Sequence, residues 1–137
     1  MAPPKGHRYN ELMTVDEARA RFERIVEEAI RALPDAFLEK LDNVDVVIED
    51  WPDPATLRKA GVQRPLDLLG FYQGVPQTRR TRAYSLVLPD KISIYRFPIE
   101  MRARDSQHLH ALILQVIKHE IAHHFGIDDA RLHELGL

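Results

Sequence analysis

The sequence contains no cysteine, which excludes disulfide bonds and thiolate metal ligands. Any transition metal would therefore be held by imidazole and carboxylate groups. A charge excess of one sign is also missing: 19 basic and 21 acidic side chains give a formal net charge of -2, without a long run of like charge. Such a balance indicates neither a nucleic-acid tail nor a membrane-surface patch. We accordingly expect no nucleic acid and no membrane among the partners.

Long apolar runs are missing as well. The longest uncharged stretch, around residues 109–117, is far shorter than the ~20 residues that span a bilayer. The N-terminus, MAPPKGHRYN, has no apolar segment of the kind that export signals carry. A length of 137 residues suits one ordinary domain. We therefore predict a single cytoplasmic domain over residues 1–137, with residues 1–12 flexible.

Hydrophobic periodicity predicts two long helices. The first follows a capping-box pattern at residues 14–17 and continues to about residue 33. The second runs from about residue 105 to residue 125 and ends at Gly126, and we expect it to be the central buried element. Its broad apolar face consists of Leu109, Leu112, Ile113, Val116, Ile117 and Ile121.

Residues rich in valine and isoleucine predict strands between these helices. VDVVIED, residues 44–50, is typical of a largely buried strand, and RAYSLVL (82–88) with KISIYRF (91–97) is typical of an antiparallel hairpin. Between residues 51 and 82 many glycines and prolines predict an irregular stretch, apart from a helical turn or two near residues 55–60. We interpret this stretch as a surface excursion or a functional rim.

The second long helix carries His119, Glu120 and His123 in the order H-E-x-x-H. The two histidines are one turn apart and rotated by only ~40°, so both imidazoles can reach one ion. Glu120 lies ~100° around from His119, where it can approach a water on that ion. This is a zinc-binding pattern of metalloprotease helices. Because chance matches to so short a pattern occur, the alternative interpretation is a surface or hydrogen-bonded core histidine pair beside an ordinary helical glutamate.

Residues after the motif offer a third metal ligand, which catalytic zinc sites usually have. Gly126 can adopt a left-handed conformation that reverses the chain and turns Asp129 back toward the histidines. The extended spelling is H-E-x-x-H-x-x-G-x-x-D, the metzincin spacing with a final aspartate. We interpret His124 either as a buried, hydrogen-bonded histidine or as a support for the ligands, rather than as a ligand itself. Asp128 is interpreted as a helix cap or a support for the ligands. A short final helix begins at Asp128 or Asp129.

At HEIAHHFGIDDARL, LPDKISIYRFPIE and GFYQGVP the chain resembles the minimal zincins, which are bacterial metallopeptidase-family proteins. The resemblance implies an α+β fold: a compact zincin-like (metzincin-like) domain with a small mixed or antiparallel sheet packed on the HExxH helix and on an N-terminal helix. It also implies a Zn²⁺ site of His119, His123 and Asp129, with Glu120 as the catalytic acid and base. By the same resemblance, the strand through Ile92, Ile94 and Arg96 would be an edge for an added peptide strand. Tyr95 and Arg96 are candidate substrate contacts, and a packing or surface role is the favoured alternative for each.

The function that follows is zinc-dependent hydrolysis of a peptide or protein substrate, in which zinc-bound water attacks and Glu120 acts as general base. Two alternatives belong to other classes. A non-hydrolytic zinc-binding or interaction module would use the same site for stability. A metal-dependent endoribonuclease has a similar histidine and glycine spacing, but Glu120 and Asp129 are the wrong residue types for it, and a net-negative chain lacks a basic footprint for RNA.

Overall fold

The structure is a computed structural model that describes residues 14–74, 89–126 and 129–134. In chain order its elements are α1 (Val15–Arg31), α2 (Asp35–Lys40), β1 (Val44–Glu49), α3 (Pro54–Ala60), a 3-10 turn (Pro65–Asp67), β2 (Gly70–Gln73), β3 (Asp90–Tyr95), α4 (Arg96–Arg102), α5 (Ser106–His124) and α6 (Asp129–Glu134). The predicted α+β class is confirmed, since helices pack on a small mixed sheet. Within the described ranges, no helix is long and apolar enough to cross a membrane.

The described sheet has the strand order β1-β3-β2. β3 runs parallel to β1, with Val44 opposite Asp90, and antiparallel to β2, with Gly70 opposite Ile94. β3 is therefore paired on both sides, and Ile92 and Ile94 on it are fully buried. The prediction that this strand is a free edge for a peptide is wrong, because both of its edges already carry strands.

The segment KISIYRF is only partly a strand, contrary to prediction. β3 ends at Tyr95, and Arg96 begins α4. Pro98 explains the change, because proline has no N–H for a sheet ladder but is tolerated in the first turn of a helix, where N–H groups need no helical partner. The other half of the predicted hairpin, residues 82–88, lies outside the described residues; among those described, the antiparallel partner of β3 is β2.

The stretch predicted to be irregular contains regular structure in its described part. The helical turns expected near residues 55–60 are α3, which begins where the Asp53 carboxylate accepts a 2.7 Å hydrogen bond from the Thr56 backbone N–H. Sequence patterns do not predict β2, because it has only four residues and is bounded by Gly70 and Gly74, which such patterns assign to turns. This short strand lies against the HExxH helix, so residues that the sequence patterns did not assign to the site come next to the motif.

Helices α1 and α5 pack against each other, and α5 also packs on β2 and β3. Thr14 caps α1 at the predicted position, since its hydroxyl accepts a 3.1 Å hydrogen bond from the Glu17 N–H, which is one of the two bonds of a capping box. Ile113 and Ile117 of α5 have no exposed surface, so this helix is the central buried element, as predicted. β1 is mostly half-exposed rather than largely buried, because in the described sheet it has a neighbouring strand on one side only.

Candidate metal centre

The last two turns of α5 carry the H-E-x-x-H residues. The helix begins where the Asp105 carboxylate accepts a 2.8 Å hydrogen bond from the backbone N–H three residues later. It stops before Gly126, whose φ of 69° is a left-handed conformation that glycine adopts at little cost. Between these two signals the helix is unbroken to His124, so His119 and His123 are held one turn apart.

His119, Glu120 and His123 form one group in the structure. One potential ligand atom from each residue lies within 4.8 Å of those of the other two, and the centroids of the two imidazole rings are 4.0 Å apart. Both histidines are exposed to solvent, and Glu120 is half-buried beside them. Imidazole and carboxylate groups are the donors that zinc takes where no cysteine is present. The group can therefore hold a metal ion such as zinc.

The residues predicted to complete the site follow Gly126. Asp129 is the first residue of α6, so the predicted final helix is present. The side chain of Asp129 lies outside the described part of the structure, as does the whole of Asp128. Their roles as third ligand and as helix cap or supporting acid therefore stay predictions.

Glu120 is held by a strand that the sequence does not predict. Its Oε1 accepts a 3.0 Å hydrogen bond from the backbone N–H of Tyr72 in β2. Burial raises the pKa of the Glu120 carboxyl, whereas the Tyr72 N–H and the charges of His119 and His123 oppose that rise. The carboxylate is thus a more basic group than an exposed glutamate and has a fixed orientation.

Gly70 allows β2 to approach α5 so closely. A Cβ atom at Gly70 would lie 2.6 Å from Cγ1 of Val116 and 3.1 Å from the backbone oxygen of Ser93. It would also lie 3.7 Å from Cγ of Glu120. A side chain at this position would push the strand away from the helix, and the hydrogen bond to Glu120 would lengthen with it.

A polar and aromatic cluster lies next to the histidines. The rings of Tyr72 and His124 stack with centroids 3.7 Å apart, and the Tyr72 hydroxyl donates a 2.9 Å hydrogen bond to Oδ2 of Asp90. Nε2 of His124 lies 3.6 Å from the same oxygen. The prediction of a buried His124 is wrong, since its side chain is 34% exposed. It fails because a position on the helix wheel does not specify what covers the end of α5, where contacts with Tyr72, Phe125 and Asp90 leave about a third of this side chain exposed.

Tyr95 and Arg96, the predicted substrate contacts, are both buried. Tyr95 is 1% exposed and Arg96 is 3% exposed. The Arg96 guanidinium bonds to Asp50 at 3.1 Å and to Glu100 at 3.3 Å. A packing role for the tyrosine and an ion-pair role for the arginine account for these positions, and neither side chain is presented to an incoming peptide.

Sequence reasoning missed the contributions of Gly70, Tyr72 and Asp90. The segment GFYQGVP belongs to the resemblance to minimal zincins, yet no local pattern assigns a role to its residues. The one available signal is the pair of glycines around an aromatic dipeptide, because glycine inside a strand often marks a close approach of another backbone or side chain. That signal would have pointed to the contact between Gly70 and α5.

Comparison with known proteins bears on this group of residues. No curated protein matches the chain. A family model described as zincin-like metallopeptidase matches residues 41–137, which is more than half of the chain. The matched range includes all three described strands and α5. A metal, usually zinc, and a peptidase-like function are what this family implies. The chain therefore belongs to the zincin-like metallopeptidase family.

Proposed function

We propose that the protein hydrolyses peptide bonds of a peptide or protein substrate, with zinc held by His119, His123 and Asp129 and with Glu120 as general base. The observation that carries this proposal is the position of Glu120: its half-buried carboxylate lies beside both imidazoles and is oriented by the Tyr72 N–H. Membership of the zincin-like metallopeptidase family supports the reaction class.

The residues have separate roles in this reaction. A bound zinc ion supplies Lewis acidity, which polarises the scissile carbonyl and makes water more acidic. Glu120 removes a proton from the attacking water and delivers it to the leaving amine. The Tyr72 N–H engages Oε1, so we assign the proton transfer to Oε2. The burial that raises the pKa of Glu120 makes its carboxylate a stronger base for this step.

Glu120→Gln tests the proposal directly. Glutamine keeps the size of the side chain and an oxygen for the Tyr72 hydrogen bond, but it cannot accept the proton. Once a peptide library has identified a substrate, hydrolysis should fall by ~10²-fold or more in the variant, with zinc content unchanged by elemental analysis. Glu134→Gln, an exposed change in α6, is the matched control. Hydrolysis at the wild-type rate by Glu120→Gln at equal zinc occupancy would refute the role.

Histidine variants test the metal separately from the chemistry. His119→Ala and His123→Ala should each abolish stoichiometric zinc binding, because each removes one of the two imidazoles that face the same position. His110→Ala, on the same helix but outside the group, should keep zinc. Full zinc occupancy in both site variants would remove the basis of the proposal.

A second function is favoured by one specific observation. A carboxylate oxygen of Glu120 lies within the same 4.8 Å as the imidazole donors, so Glu120 can itself serve as a ligand. The zinc site would then be closed and the protein a non-hydrolytic zinc-binding module. In that case Glu120→Gln would weaken zinc binding, and neither form would cleave any peptide, which is the opposite of the pattern expected for a general base.

A further inference from the structure

Asp90 is a buried carboxylate where β2, β3 and the end of α5 meet. It is the first residue of β3, and its backbone N–H donates a 3.1 Å hydrogen bond to the Asn43 carbonyl just before β1. Its side chain is only 12% exposed. A buried carboxylate is stable only where it has polar partners. Oδ2 of Asp90 meets the Tyr72 hydroxyl from β2 and lies 3.6 Å from Nε2 of His124.

The Tyr72 side chain is held at two points by this cluster. Tyr72 is opposite Ile92 in the strand register, so Asp90 is its diagonal neighbour on the same face of the sheet. The hydroxyl donates to Asp90 at 2.9 Å, and the ring lies on the His124 imidazole with 3.7 Å between centroids and 13° between planes. Because β2 has only four residues, its ladder bonds alone hold it weakly. The position of the Tyr72 backbone therefore depends on the contacts of its side chain.

The end of β2 passes close to the same cluster. A Cβ atom at Gly74 would lie 3.1 Å from Cε1 of His124 and 3.8 Å from Oδ1 of Asp90. Movement of the strand end toward the imidazole is limited by this packing. Movement away from it would break the hydrogen bond between Tyr72 and Asp90. The strand end is therefore restrained in both directions.

We propose that Asp90 is a positioning residue for the general base Glu120. By holding the Tyr72 hydroxyl and the His124 imidazole, its carboxylate fixes the end of β2 against α5. The Tyr72 N–H is thereby kept in line with Oε1 of Glu120, 3.0 Å away. The inference rests on the proposed function, in which Glu120 is the base. Asp90 acts through Tyr72 and exchanges no proton with the substrate.

Amide hydrogen exchange tests this coupling on the purified protein without a substrate. In Asp90→Ala the Tyr72 N–H should exchange about tenfold faster relative to the Tyr95 N–H, which donates to the Leu69 carbonyl at 3.0 Å. The ratio of the two rates is decisive, because a general loss of stability would speed both amides alike. Tyr72→Phe removes only the hydroxyl, so it should raise the same ratio and serves as the test if Asp90→Ala does not fold.

Asp90→Asn and Asp45→Ala are the matched variants. Asparagine keeps an oxygen that accepts the Tyr72 hydroxyl, so the exchange ratio should stay within about twofold of the wild type. Asp45 is an exposed residue of β1, and its substitution should change neither amide. An unchanged Tyr72 amide in Asp90→Ala, or equal acceleration of both amides, would overturn the positioning role. An Asp90→Asn ratio as high as that of Asp90→Ala would also overturn it.

Kinetics relates the coupling to the proposed reaction. Once a peptide substrate is known, kcat of Asp90→Ala should fall about tenfold with KM and zinc content unchanged, because only the alignment of the base is affected. Asp90→Asn should restore most of kcat. Loss of zinc, or a raised KM at unchanged kcat, would overturn the role. If the wild type cleaves no peptide but Tyr72 exchange responds as expected, the proposed function fails and the positioning of Glu120 stands.

Discussion

The backbone N–H of Tyr72 donates a 3.0 Å hydrogen bond to Oε1 of Glu120, 48 residues further along the chain. The contact joins a four-residue strand to the helix that carries both histidines. It acts on the base itself, because it opposes the rise in the pKa of Glu120 that burial causes. A backbone group therefore orients one oxygen of the proposed general base and moderates the rise in pKa that burial causes.

Tyr72→Pro should change the titration of Glu120 more than Tyr72→Ala does. Both variants lose the aromatic ring, but only proline loses the N–H. That N–H points away from β3, so proline at this position removes no bond of the β2–β3 ladder. Without the donor, the pKa of Glu120 should rise further above its ordinary value, and hydrolysis should fall because the carboxylate loses its orientation. NMR titration of the metal-free variants measures the first effect.

The comparison between these two variants decides the role of the hydrogen bond. Circular dichroism on both should show the same helix content, which excludes a general loss of fold. Coincident Glu120 titration curves in Tyr72→Pro and Tyr72→Ala would mean that the backbone donor does not control the carboxyl group.

Gly70→Ala should destabilise the protein by about 1–3 kcal/mol, because the new methyl group overlaps Cγ1 of Val116 and approaches the Ser93 carbonyl. The cost should be smaller in a Val116→Ala background, where the side-chain part of the clash is gone. Urea denaturation of the wild type, the two single variants and the double variant gives the coupling free energy between Gly70 and Val116. An equal cost of Gly70→Ala in both backgrounds would show that contact with Val116 is not what requires glycine.

Asp129→Ala should weaken zinc binding, whereas Asp128→Ala should mainly loosen α6. A third protein ligand is usual in catalytic zinc sites, and its loss lowers affinity. Loss of a helix cap instead costs roughly 1 kcal/mol of stability. Competition with a zinc chelator and thermal denaturation measure the two effects. Unchanged zinc affinity in Asp129→Ala, or a loss confined to Asp128→Ala, would assign the third ligand elsewhere.

Glu100 should make stability depend on pH in a direction opposite to that of most acidic residues. Burial raises the pKa of its carboxyl, although the Arg96 guanidinium opposes this. A carboxyl with a raised folded-state pKa contributes its full stability below the ordinary value of 4.5 and loses it as the pH rises through the folded-state pKa. The free energy of unfolding of the wild type, relative to Glu100→Gln, should therefore decrease toward neutral pH.

Urea denaturation over that pH range, with a chelator to exclude metal effects, measures this difference. Glu134→Gln, at an exposed position, serves as the control for the substitution itself. A relative stability of the wild type that increases with pH would mean that the ion pair with Arg96 outweighs burial in setting the pKa of Glu100.

Local patterns predicted the long helices and the histidine pair because both depend on residues within one or two turns. The apolar face of α5 and the cap at Thr14 are of this kind, and so is the stop at Gly126. The strand-to-helix change after Tyr95 escaped prediction, since an apolar run of this length fits either structure and only Pro98 marks the boundary.

The contacts that complete the site could not be read from spacing. Tyr72 meets Glu120 because β2 pairs with β3 and both pack on α5, an arrangement that no local repeat encodes. The central position of β3 could not be predicted for the same reason, because strand order depends on pairing between residues far apart in the sequence. Alternation of apolar and polar residues along one strand specifies only which face of the sheet each side chain is on. Sequence therefore predicted the grouping of His119, Glu120 and His123 better than the contact that orients Glu120.

Both imidazoles lie on five consecutive residues of one helix, whereas the partner of the carboxylate between them comes from a distant strand. The histidine pair thus depends on a single helical turn, whereas alignment of Glu120 needs the sheet to have assembled. A partly unfolded chain that retains this turn keeps the two histidines together after the contact that orients Glu120 is lost. On heating, loss of the contact between Tyr72 and Glu120 should therefore precede separation of the two imidazoles.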